Sequence, residues 1–222
     1  MRINTKTTLA AAGLTAALLA GNALAAVTTL TGTFVSYSFN TDDLGLFGAA
    51  SLSGDELVFT PTNFVATSVN GSPGTAIQTL HVTVSANSGY LLSAFSLSES
   101  GSYGLAGSGA TAFVTGTFGA LDTEGTTGNY LPVGIAPDAT LDGTGGNWTA
   151  SAGITLPGSG WGGDDGVVTS VKLTISNQLF ASSTSGGSAE VWKNAVAVNV
   201  VTSPVPEAET YAMILAGLGL VG

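Results

Sequence analysis

The stretch EVWKNAVAVNVV, Glu190–Val201, decides how the chain is read. Trp192, Val196, Val198 and Val200 share one parity of position, which an extended chain places on one side. The same alternation recurs along the chain. In QTLHVTVS, Gln78–Ser85, Leu80, Val82 and Val84 oppose Thr79, His81, Thr83 and Ser85. In VTSVKLTIS, Val168–Ser176, Val171, Leu173 and Ile175 oppose Lys172, Thr174 and Ser176. In TGTFVSYSFN, Thr31–Asn40, Val35, Tyr37 and Phe39 share a side. DELVFTP, GYLLSAFSL, ATAFVTGTF and NWTASAGITL are further strand candidates. Turn residues separate them: Gly54-Asp55, Asn70-Gly71, Asn87-Ser88-Gly89, Thr144-Gly145-Gly146-Asn147 and Ser185-Gly186-Gly187. Gly and Asn tolerate the positive φ of tight hairpins. Many short half-buried strands with Gly-rich turns predict an all-β fold, an antiparallel β-sandwich or jelly roll. No fixed-period repeat suggests a solenoid or propeller. The polar, Gly-broken strands lack the apolar band of an outer-membrane barrel.

Composition narrows the function classes. Only 8% of residues are charged, against about 25% in an average domain. Beyond Lys6 the basic residues are Lys172 and Lys193, facing 14 acidic residues. No basic patch exists to neutralise phosphates, so nucleic acid is excluded as a partner. Electrostatic attachment to anionic lipid is excluded for the same reason. There is no cysteine, which removes disulfides, thiolate metal sites and cysteine catalysis. The 44% apolar fraction and the recurring alternation argue for a packed core over disorder.

Both ends of the chain carry a different pattern. Arg2 and Lys6 precede an apolar stretch from Leu9 to Ala20, followed by Ala23-Leu24-Ala25. A basic start, a short apolar core and small residues at a cleavage site make a secretory signal peptide. Cleavage is expected between Ala25 and Ala26, leaving a body from 26 to 202 after a signal helix at 1–25. Ser203-Pro204-Val205-Pro206 opens a linker, because proline cannot donate to a ladder and favours extended chain. The apolar run Thr210–Gly222 then holds about a dozen residues of a membrane segment that needs about 20. Its small residues Ala216, Gly217 and Gly219 suit close helix packing in lipid.

The segment VPEAETYAMILAGLGLVG, Val205–Gly222, resembles the PEP-CTERM sorting signal of Gram-negative bacteria. Pro206 and Glu207 match the first two positions of its motif, and Ala208 stands where a second proline is usual. The apolar transmembrane stretch follows as the signal requires. The terminal basic cluster does not appear, and the expectation is that the sequence is truncated within a sorting segment spanning 203–222. The resemblance implies export by the general secretion machinery and transient tethering in the inner membrane. Cleavage by an exosortase would follow, with delivery to the cell surface or exterior. It also implies a setting of exopolysaccharide and biofilm. SLSGDELVFTPTNFVATS and SGYLLSAFSLSESGSYGL resemble stretches of β-rich PEP-CTERM bodies without naming an activity.

Chemistry in the body has few carriers. His81 is the only histidine, and it sits on the polar face of a strand with no acidic neighbour in sequence. That position suits an exposed strand residue better than a catalytic triad. Asp55 with Glu56, Asp122 with Glu124, and Asp164 with Asp165 could serve a secreted glycoside hydrolase. Each pair lies beside glycine at a turn, where Asp ordinarily caps backbone. Calcium would use loop carboxylates. GSGWGGDDG with Asp164 and Asp165 is the densest candidate, and PDATLDGTGG with Asp138 and Asp142 the second. For sugar stacking, glycine-flanked Trp161 is the tryptophan expected to be exposed. Trp192, alternating with valines, is expected in the core, and Trp148 stays open. The sequence therefore predicts a non-enzymatic exported protein without an obligate cofactor, structural or adhesive in an exopolysaccharide matrix. The alternatives are a carbohydrate-binding module, with or without calcium, and the hydrolase.

Overall fold

The computed structural model describes residues 26–125 and 128–205. The signal segment, the sorting motif Pro206, Glu207 and Ala208, and the apolar tail lie outside the described residues. So do Ala23 and Ala25 of the cleavage site. Ala26 is described: its carbonyl accepts from the Thr41 N–H at 3.0 Å.

The described residues are mostly strand, with two short 3-10 turns at Thr41–Asp43 and Gly45–Phe47. In chain order the strands are β1 (Val27–Thr31), β2 (Val35–Asn40), β3 (Ala49–Ser53), β4 (Glu56–Thr60), β5 (Val65–Val69) and β6 (Gly74–Ala86). They continue with β7 (Tyr90–Ala106), β8 (Thr111–Asp122), β9 (Tyr130–Ile135), β10 (Gly145–Thr155), β11 (Ser170–Ser182) and β12 (Ser188–Pro204). Two antiparallel sheets result. One runs β1-β2-β6-β11-β8-β9, and the other β10-β7-β12-β4-β3, with β5 also pairing β12. From β4 onward the chain changes sheet at each passage to a new strand after β5, except along the β8–β9 hairpin. This winding places β4-β12-β7-β10 against β6-β11-β8-β9, the order of a jelly roll.

The core forms where the alternation predicts it. Leu80, Val82 and Val84 of β6 are buried, as are Val171, Leu173 and Ile175 of β11 and Val35, Tyr37 and Phe39 of β2. Leu57, Phe59, Phe95, Leu97, Val196 and Val198 answer them from the second sheet. Asn70 and Gly71 both adopt positive φ, 52° and 88°, in the tight turn that returns β5 toward β6, so Asn-Gly does the work expected of it. Strand β9 was not legible because it carries Pro132. It is tolerated there because β9 is the edge of its sheet. At the other end, β12 continues past the expected boundary at 202, and Pro204 pairs with Tyr90.

The expected facing of β12 needs one correction. Between Lys193 and Ala195 the pairing with β7 shifts: Lys193 faces Gly101 but Ala195 faces Ser100. Asn194 is the extra residue of a β-bulge, which reverses the phase of the strand on either side of it. Val196, Val198 and Val200 point inward as expected. Trp192 does not; it is 38% exposed, while Lys193 is 2% exposed.

Candidate functional site

The bulge shapes an outer face of small polar residues on the second sheet, bordered by the carboxylates of Glu190 and Asp138. Register aligns Asn147, Ser102 and Trp192 in one row across β10, β7 and β12. Thr149, Ser100 and Ala195 form the next, Ser151, Ser98 and Ala197 the third, and Gly153, Ser96 and Asn199 the fourth. A shallow depression of about 300 Å³ crosses the second and third rows, with Val58 on one side and Asp138 on the other. The Asp138 carboxylate accepts from Thr149 Oγ1 at 2.7 Å. Hydroxyls and carboxamides beside one exposed indole can hydrogen-bond and stack on a neutral polyol.

Trp161 is placed differently from its expected position. It is 4% exposed, so its ring is not presented for stacking. Asp122 explains why. Its buried carboxylate accepts from Glu124 N at 3.0 Å and Gly125 N at 3.1 Å, and its second oxygen from Gly162 N at 3.1 Å. That last bond, from 40 residues away in sequence, draws the glycine loop inward and buries the indole within it. Glu124 is likewise engaged, holding the backbone N–H groups of Thr169 and Ser170 at 2.7 and 3.0 Å. A cavity of about 270 Å³ opens beside these loops, lined by Glu124, Trp161, Asp164 and glycines.

Three more acidic side chains are held in local hydrogen bonds. Asp165 caps the Val167 N–H at 3.0 Å, and Asp55 accepts from the Phe34 N–H at 2.9 Å. Asp142 accepts from Thr140 Oγ1 at 3.1 Å. Among the described residues no three His, Cys, Asp or Glu converge on a metal position. The two loops bearing Asp138, Asp142, Asp164 and Asp165 are not brought into one site. His81 is exposed on β6, its Nδ1 3.1 Å from Thr174 Oγ1.

A third cluster lies between the sheets. Glu99 of β7, Asn177 of β11 and Lys193 of β12 are all buried. Asn177 Nδ2 donates to Glu99 Oε1 at 2.8 Å, and Lys193 Nζ donates to Asn177 Oδ1 at 2.7 Å. Lys193 Nζ also pairs directly with Glu99 Oε2. The rings of Trp148 and Phe64 lie 5.1 and 5.7 Å from the same nitrogen. Burial lowers the Lys193 amine below its ordinary value, and Glu99 opposes that shift. Trp148, left open by the sequence, is buried here and donates Nε1–H to the Trp192 carbonyl at 3.1 Å. Two members were readable: Glu99 keeps the phase of Phe95 and Leu97, and Asn177 that of Leu173 and Ile175. Lys193 was hidden by the bulge.

No protein-family model matches the chain, and no curated protein matches it in sequence.

Proposed function

We propose that this is an exported envelope or matrix protein. Its signal peptide ends at Ala25, and an exosortase acts at Pro206-Glu207-Ala208. The jelly-roll body then serves as a structural or adhesive unit in neutral exopolysaccharide at the cell surface or beyond. The sorting part rests on the two terminal segments of the sequence. The adhesive part rests on one observation: Trp192 is exposed at the end of four rows of Ser, Thr, Asn, Ala and Gly, which carry no charge of their own and are bordered by Glu190 and Asp138. Such a face favours uncharged polyols over ionic ligands, because stacking and hydroxyl bonding need no counter-charge.

A carbohydrate-binding reading is favoured by the same face and differs from an adhesive role only in having one defined ligand. The hydrolase reading has less support, since Asp122, Glu124 and Asp165 already hold backbone N–H groups. Co-sedimentation with the host's exopolysaccharide tests the body. Wild type pellets with the polymer, and Trp192→Ala stays in solution while keeping its urea unfolding midpoint. Equal recovery of both proteins in the supernatant would remove the adhesive role.

A further inference from the structure

The buried cluster of Glu99, Asn177 and Lys193 holds an amine, a carboxamide and a proton carrier in mutual contact. We propose that Lys193 and Asn177 condense into an intramolecular isopeptide bond that ties the two sheets together, with Glu99 moving the protons.

The placement meets each requirement of that reaction. The nucleophile must be a neutral amine, and burial favours the neutral form against the opposing pull of Glu99. The electrophile is the Asn177 carboxamide carbon, bonded to the oxygen that Lys193 Nζ already meets at 2.7 Å. The proton carrier must reach both nitrogens, and Glu99 does: Oε2 contacts Nζ, and Oε1 lies 2.8 Å from Nδ2. Water must be kept from the intermediate, and all three residues are at most 3% exposed.

The step balances without a co-reactant. Glu99 takes one proton from the Lys193 ammonium, leaving an amine and a carboxylic acid. The amine lone pair attacks the Asn177 carboxamide carbon, and the carbonyl electrons move to Oδ1. A proton from the attacking nitrogen passes through Glu99 to Nδ2. The carbon–Nδ2 bond breaks, the carbonyl re-forms, and ammonia leaves. Nζ then carries one hydrogen in a secondary amide, and Glu99 remains as a neutral acid beside it. The product contains no buried charge, whereas the starting pair is an ion pair held away from water, a costly arrangement. The chain has no cysteine, so this would be its covalent tie between sheets. It does not depend on export or on sugar binding.

Mass spectrometry of the purified full chain tests it. The intact protein should be lighter than its sequence by one ammonia. Beyond Lys6, trypsin has only Lys172 and Lys193 to cut after. In a denatured digest, cleavage after Lys172 should be complete and cleavage after Lys193 absent. The fragment starting at Leu173 should run past Lys193 and lack one ammonia. Glu99→Gln, which keeps the shape but loses the proton carrier, should restore full mass and cleavage after Lys193. Wild type of full mass, yielding a free Leu173–Lys193 peptide, would overturn the proposal even if the variant failed to fold. Loss of ammonia with normal cleavage after Lys193 would overturn it as well.

Discussion

Lys193 Nζ and Asn177 Oδ1 lie 2.7 Å apart although the residues belong to different sheets. Glu99 touches both. This polar cluster sits inside a mainly hydrophobic core, and every buried side-chain nitrogen and oxygen among the described residues has a partner. Removing one member therefore strands the others.

In an Asn177→Leu background, which cannot form the amide bond, Glu99→Leu is expected to destabilise the fold by about 3–5 kcal/mol, the usual cost of leaving a buried charge without its partner. In the same background, joint replacement by Glu99→Leu and Lys193→Met should cost less than the two single changes summed, because the surviving charge is gone. Urea denaturation of the four proteins measures this. Strict additivity would show that the pair is not coupled.

Gly101 faces Lys193 at the bulge. A Cβ there would stand 1.9 Å from the Trp192 carbonyl oxygen and 2.5 Å from the Trp148 ring. Gly101→Ala should lower stability by about 1–3 kcal/mol through overpacking and alter the near-UV circular dichroism of Trp148. A variant with wild-type stability and spectrum would place the bulge elsewhere.

Much of the fold was legible because a strand with one buried face writes its period into the chain. Leu80, Val82 and Val84 and their counterparts in β11 needed no distant information. Trp161 and Trp192 were misread because their facing depends on contacts that local sequence does not display. Asn194 adds one residue to β12 and turns Trp192 outward. Asp122 reaches Gly162 and pulls the Trp161 loop inward. Glycine neighbours made Trp161 look free, yet they also let its backbone approach the carboxylate.

Quenching of tryptophan fluorescence follows from that placement. Acrylamide should quench Trp192 strongly and Trp148 and Trp161 weakly, and Trp192→Phe should remove most of the accessible fraction. Efficient residual quenching in that variant would contradict the burial of Trp161.

Tyr37 links stability to alkaline pH. Its hydroxyl donates to the Asp55 carbonyl. Burial, reinforced by Asp55 and Glu56, pushes the phenol well above its ordinary value of 10.0. Above that value the unfolded chain releases a proton that the folded chain retains, so stability falls as pH rises. Tyr37→Phe should flatten this decline while losing about 1 kcal/mol of hydrogen bonding near neutrality. An unchanged alkaline slope would show that Tyr37 does not carry it.

Intact mass of the protein recovered from its host, with the exosortase present and deleted, tests export and sorting most directly. The expected result is a chain that begins at Ala26 in both strains and ends near Pro206-Glu207 only when the enzyme is present. A chain that keeps its apolar tail in both strains would contradict the sorting role assigned to that segment.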